Sequence, residues 1–180
     1  MGIASLSKGD LFMKYNIIHS PASESTPNHM ILPVIVYQEV EGDFAQIFEK
    51  NHWKGIWTNG VFDYHHYHPD THEVLGVVSG EAKLMIGGEK GSELKVKAGD
   101  ALLLPAGYGH KCLEASDDFK VVGAYPTEAT FETATSYEDI NAINMKVNNV
   151  KLPEYDPVEG NTGPMFKEWH NIYQCNTFIK

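Results

Sequence analysis

Basic residues are scarce in this chain. Lysine and arginine total 14 against 24 aspartates and glutamates, a formal net charge of −10. A surface of that sign repels phosphate backbones, which argues against a nucleic-acid partner. No stretch reaches the roughly 18 consecutive apolar residues of a membrane-spanning helix. The opening Met1–Lys8 lacks the basic start and long apolar run of a secretion signal. It also misses the myristoylation pattern, because Leu6 stands where Ser or Thr is required. The expectation is a cytoplasmic protein with no membrane contact. Cysteine is nearly missing too: Cys112 and Cys175 are the only two. They are too far apart in sequence for a close-spaced metal pair, and buried or half-buried thiols are expected, with a disulfide left open. Low-complexity sequence is absent.

What is present is core material. Hydrophobic residues make up 42% of the chain, including nine Tyr, eight Phe and three Trp. A chain of 180 residues with that content is expected to fold as one domain without staples. Short β-type runs dominate. Tyr15–His19 and Ile31–Tyr37 read as strands, with Pro33 placing the second at an edge or near a strand start. Asp43 followed by Gln46 resembles a capping box, and Phe44, Ile47 and Phe48 form one apolar stripe of a short helix.

From Gly55 the β pattern is nearly continuous. The runs are 56–58, 61–68, 73–78, 82–86, 94–97, 101–104, 110–114 and 119–125, punctuated by Asn59-Gly60, Ser79-Gly80 and Gly87-Gly88. Strands of this length, with glycine turns every ten residues or so, are what an all-β barrel requires. Beyond Pro126 the character changes. Residues 127–135 look irregular, Ser136–Asp139 is expected to cap a short helix to about Met145, and an extended tail follows. Phe166, Trp169 and Tyr173 suggest that this tail docks on the barrel or on a partner subunit.

Five of the nine histidines lie at 65, 66, 68, 72 and 110. In a strand, side chains alternate faces, so His66 and His68 point the same way while His65 and Tyr67 point the other. Two imidazoles at i and i+2 can converge on one cation. The turn containing Pro69 and Asp70 can swing Glu73 back toward it, and His110, after a Pro- and Gly-rich turn, can complete the set. Three imidazoles and a carboxylate suit zinc, iron, manganese, nickel or copper, and leave up to two coordination positions open. His65 and His72 are expected to face away, in surface or supporting roles. Tyr64 shares the His66/His68 face and is expected either at a pocket mouth or as a core aromatic.

These residues carry a resemblance. Gly60, His66, His68, Glu73 and Gly80 match the first motif of the cupins, G-x5-H-x-H-x4-E-x6-G, at every position. Gly99, Pro105, Gly107 and His110 match the second, with Glu114 in place of its final asparagine, which is not a ligand in that family. Positions 65–68, 72–76, 104–107 and 123–126 also resemble a subgroup of small single-domain cupins without a settled reaction.

The resemblance implies an all-β, double-stranded β-helix (a cupin or jelly-roll barrel) with short flanking helices. The expected organisation is an N-terminal extension over 1–52, a barrel core over 53–126, and a C-terminal helix and arm over 127–180. It implies a divalent transition metal held by His66, His68, Glu73 and His110. The expected activity is that of a metal-dependent enzyme acting on a small molecule, of dioxygenase, isomerase, decarboxylase or lyase type. The alternatives are a cupin that binds a sugar, metabolite or metal without turnover, and, less supported, the sensing domain of a regulator. A homodimer is expected from the same resemblance, from exposed sheet edges and from aromatic-rich termini.

Overall fold

The computed structural model describes residues 12–172. Among these residues the chain forms β1 (Tyr15–Ile18), β2 (Val34–Tyr37), helix α1 (Phe44–Lys50), β3 (Lys54–Asn59), β4 (Glu73–Ser79), β5 (Glu81–Ile86), β6 (Ser92–Lys97), β7 (Ala101–Leu104), β8 (His110–Ala115), β9 (Lys120–Tyr125) and helix α2 (Ile140–Asn148). The strands build a six-stranded sheet in the order β1-β2-β7-β4-β9-β3 and a three-stranded sheet in the order β6-β5-β8. Every strand pairing is antiparallel. This is the all-β double-stranded β-helix. None of the described helices is long and apolar enough to cross a membrane.

The central strands of the larger sheet are buried on both faces, which explains why β2 and β7 read as unbroken apolar runs rather than alternating ones. Val34, Val36, Leu75, Val77, Leu102 and Leu104 point into the space between the sheets, where they meet Leu84 and Ile86 of β5. Their neighbours Ile35, Tyr37, Val74 and Leu103 point out the other side, under Phe44 and Phe48 of α1 and under Met165 and Trp169 near the C-terminal end. Each switch of face follows from the period-two geometry of a strand. Glu73 lies in phase with Leu75 and Val77, and is therefore delivered to the interior between the sheets.

Local signals place the covering elements. The Asp43 carboxylate accepts from the Gln46 backbone N–H at 3.0 Å and caps α1, as its sequence predicts. Asp139 caps α2 by accepting from the N–H groups of Asn141 and Ala142. The helix thus begins at Ile140, directly after the capping segment 136–139 that the sequence marks, and ends at Asn148, three residues beyond the expected Met145. Gly80 (φ +69°) turns the chain from β4 in one sheet to β5 in the other, and a Cβ there would lie 2.4 Å from Ser116 Oγ.

Two expectations change. Residues 61–68 do not form a regular strand, because their backbone pairs in single bridges with two different partners: His66 with His110, and Tyr67 with Ala134. Asn59-Gly60 therefore does not connect two paired strands, since β3 pairs with β9 instead. Of the two readings left open for Pro33, the strand-start one holds, because β2 lies between β1 and β7 rather than at an edge. The aromatic C-terminal segment docks on this same chain: Trp169 is fully buried and its indole N–H donates to the Pro33 carbonyl at 2.9 Å. Tyr173 and Cys175 lie outside the described residues.

Candidate metal centre

The strap formed by residues 66–68 runs beside the start of β8 in the three-stranded sheet. His66 and His110 exchange backbone hydrogen bonds at 3.3 and 3.0 Å, the His68 carbonyl accepts from Gly107 N–H at 2.8 Å, and Tyr67 exchanges two bonds of 2.9 Å with Ala134. The extended backbone turns Tyr67 outward, where its hydroxyl donates to the Ser136 carbonyl at 2.7 Å. His66 and His68 turn inward together. The alternation argument survives even though the regular strand does not.

His66, His68 and His110 each offer one ligand atom, and these atoms lie within 4.8 Å of one another. The opposite ring nitrogens are all engaged. His66 Nδ1 faces the Tyr64 carbonyl at 3.0 Å, His68 Nδ1 the Glu132 carbonyl at 2.8 Å, and His110 Nδ1 the Tyr108 carbonyl at 3.1 Å. A carbonyl only accepts, so each Nδ1 carries the proton and each Nε2 of a neutral ring presents a lone pair. Glu73 lies beside this three-histidine cluster: Oε2 is 3.3 Å from His68 Nε2, and Oε1 is 3.3 Å from His110 Nε2.

This donor set has one proton too few on each of two rings. Neutral His68 and His110 place lone pairs against carboxylate lone pairs, unless both rings become imidazolium beside a third histidine. A single cation between them removes the conflict, and Nδ1–carbonyl bonds are the usual way to fix imidazoles for that role. Separations of 3.3 Å also match the edge of a coordination polyhedron, about 2.9–3.4 Å for bonds near 2.1 Å. The residues fit a divalent transition metal. The carboxylate touches the rings of His68 and His110, and His66 joins the group through His110, whose ring centroid lies 4.0 Å from its own.

Electrostatics follow the packing. Burial and the neighbouring His110 push His66 down to about 3. Burial opposes ionisation of Glu73, but the contacts with His110 and His68, in their protonated forms, outweigh it and hold the carboxyl well below the usual range. At His68 burial lowers the pKa, while bonding to Glu73 and its charge raise it, with a net rise.

The other histidines serve elsewhere. His72 is fully buried; its Nδ1 accepts from Ala106 N–H at 2.9 Å and its Nε2–H donates to the Lys151 carbonyl at 3.1 Å. Burial, with His29 close by, pushes His72 down to about 3. It supports the turn before the last histidine and is not a surface residue. His65 is half-buried and outside the histidine cluster, and its Nδ1 is enclosed without a hydrogen-bond partner. Tyr64 is 43% exposed and stacks on Phe62 at 4.9 Å, while its carbonyl orients His66.

Above the imidazoles lies a cavity of about 470 Å³. Its walls include Trp57 of β3, Phe62 of the following loop, Leu75 of β4 and Tyr125 of β9. None of these is marked by the histidine pattern. Trp57 is set by register: it faces Gly123 across the β3–β9 pair, and a Cβ on Gly123 would lie 2.2 Å from the indole ring. Tyr125 follows from the Val74–Ala124 pairing, which places Glu73 and Tyr125 opposite each other one step further on. Its signal in the sequence is the phase of 121–125, readable only once β9 is known to neighbour β4.

The family model described as "Cupin domain" matches residues 55–122. With the two-sheet fold and the two motifs converging on one point, the chain belongs to the cupins. Among its relatives is the uncharacterised protein YjlB of Bacillus subtilis (strain 168), 39% identical over 153 residues that cover 83% of this chain and 93% of that protein. A similar solved structure is an uncharacterised conserved protein with a double-stranded β-helix domain from Klebsiella pneumoniae subsp. pneumoniae. It has 17% identity and a TM-score of 0.36, covering 74% of this chain and 90% of the other. An acireductone dioxygenase from Bacillus anthracis, with cadmium in its active centre, has 23% identity and a TM-score of 0.33, covering 46% of this chain and 55% of its own.

Proposed function

We propose that this cupin is a metal-dependent enzyme acting on a small molecule, with His66, His68, Glu73 and His110 holding a divalent transition metal. The observation that carries the reading is the arrangement of protons. Three imidazoles donate through Nδ1 to backbone carbonyls and turn their remaining nitrogens to one point beside a buried carboxylate. Buried groups of this kind, opening onto a cavity, mark a functional site more often than a structural one. When bound there, the metal would supply Lewis acidity toward a substrate oxygen. The protein's own part is to fix the donors on a rigid frame and to exclude bulk water through apolar walls. Dioxygenase, isomerase and lyase chemistry are the reaction types to be screened, with iron, manganese, nickel, zinc or copper as the metals.

The experiment is metal analysis of protein purified without added metal, followed by turnover assays before and after chelation and reloading. Metal at about one equivalent per chain, lost in His66→Ala and His110→Ala together with any turnover, supports the reading. A full equivalent of metal retained in both variants would overturn it. Metal binding without turnover in any assay favours the alternative, a cupin that holds metal or a metabolite without chemistry.

A further inference from the structure

The cavity above the histidines has an unusual feature: most of the polar groups in its depth are already used by one another. Trp57 Nε1–H donates to the Tyr125 hydroxyl at 3.0 Å. Indole is donor only, so the phenol accepts there, and the β4–β9 register sets Tyr125 opposite Glu73. Glu73 in turn occupies both oxygens with His68 and His110. What remains for a ligand in the depth is the cluster of imidazole nitrogens and the flat faces of Trp57, Phe62 and Tyr125. The exposed Thr58 and Asn59 stand at the rim.

The walls are also fixed. The indole of Trp57 lies directly on the backbone of Gly123, where even a methyl group would meet it at 2.2 Å. Phe62 packs on Tyr64, stacked at 4.9 Å, and meets His66 edge-on at 5.1 Å. Rigid aromatic faces recognise flat molecules by stacking, without first having to order themselves. Cationic recognition is not offered: the chain contains no arginine, and none of the described lining residues is a lysine. An anionic headgroup would enter a site whose sole fixed charge partner is the metal, on a protein of net charge −10.

We infer that the cavity takes a small, planar, uncharged ring compound whose oxygen faces the histidine cluster, and not a phosphorylated metabolite. This deepens the metal-enzyme reading and rests on it only for the end of the ligand that faces the metal. Phe62 is then a specificity-determining residue, and because it is 53% exposed it can be changed without loss of fold.

Calorimetric titrations of phenol, cyclohexanol and inorganic phosphate into zinc-loaded and chelator-treated protein test this. Phenol and cyclohexanol each present one hydroxyl but differ in acidity as well as planarity, so the preference is read in the chelator-treated protein, where no metal favours the phenolate. Phenol is expected to bind about tenfold more tightly than cyclohexanol, a preference of the size that two aromatic contacts supply. Phosphate is expected to be the weakest of the three. In Phe62→Ala the preference should fall to about threefold or less, with zinc uptake unchanged. Equal binding of the two alcohols, or phosphate binding above phenol, would overturn the assignment. Zinc titration without any ring compound reports separately on the metal. Zinc uptake without ring preference sinks this inference alone; ring preference in protein that takes up no zinc sinks the metal reading and leaves the cavity assignment standing.

Discussion

Glu73 and His110 face each other across 3.3 Å, while His110 is already committed through its other nitrogen to the Tyr108 carbonyl at 3.1 Å. A neutral ring in that position has no proton to give the carboxylate. The relationship makes metal and acid competitors for one place. Imidazole must be unprotonated to bind metal, and free histidine has a pKa of about 6.5, so metal affinity should weaken as pH falls through roughly 6. Metal titrations at a series of pH values measure this, and an affinity that stays flat from pH 7.5 to about 5 would contradict it.

Metal bound only by the folded state should stabilise it by about 4 kcal/mol when free metal stands near 1,000 times its dissociation constant. Thermal melting with and without chelator measures this. His66→Ala and His110→Ala are expected to lose most of the gain. His65→Ala, whose ring lies outside the cluster, is expected to keep it. Loss of metal stabilisation in His65→Ala as complete as in His66→Ala would show the ligand set to be wrong.

A second acid response is independent of metal. His29 is 3% exposed, and its Nδ1 accepts from the N–H groups of Ile31 and Leu32 at 3.2 and 3.0 Å. Burial pushes its pKa from 6.5 down to about 4. Between those values the unfolded chain takes up a proton that the folded chain refuses. Stability therefore falls as pH drops from 6.5 toward 4 and the contribution levels off below, by about 3 kcal/mol in all. His29→Asn keeps an acceptor for the two amides but does not titrate in this range. Denaturant melts across that window should show a flatter pH slope for the variant, and an unchanged slope would refute the assignment.

The fold of the core is legible in the sequence because its signals are local. Glycines at 80, 87, 88, 99, 107 and 109 mark the end of β4, both ends of β5 and the starts of β7 and β8, and Asp43 marks the start of α1. The strap at 61–68 reads as a strand because its residues alternate like one. Whether alternation becomes a ladder depends on partners from 107–110 and 134, which sequence spacing does not reveal. At the site, His66, His68, Glu73 and His110 stand out by residue type. Trp57, Phe62 and Tyr125 do not, because aromatics on strands read equally well as core. Only the β3–β9 and β4–β9 registers bring Trp57 and Tyr125 to the cavity, and such pairings are non-local.

Asp156 is a further point where sequence is silent and burial decides. It has no solvent exposure, and its carboxylate accepts from Tyr37 Oη, Met165 N, Val158 N and Glu159 N. Asp156→Asn turns an N–H group toward donors and should destabilise the protein by about 2–3 kcal/mol, whereas Tyr37→Phe should cost about 1 kcal/mol. Equilibrium denaturation compares them, and a larger loss in Tyr37→Phe would contradict this account of the anchor.

We also propose a homodimer. β1 lies at an edge of the larger sheet with Ile17 42% exposed, and an edge strand is a ready template for pairing with a second copy. Light scattering at micromolar concentration should give about twice the 20.1 kDa chain mass. A stable monomer across that range would rule the dimer out.

The candidate ligands come from different parts of the sandwich: Glu73 from β4 in the six-stranded sheet, His110 from β8 in the three-stranded sheet, and His66 and His68 from the strap that pairs beside β8. An ion at that point would act as a rivet through the sandwich, joining chain segments distant in sequence. Its effect would then extend from the height of the folded well to the lifetime within it. Pulling the sheets apart would require breaking coordinate bonds before the apolar layer could admit water, so loading should slow unfolding far more than it speeds refolding.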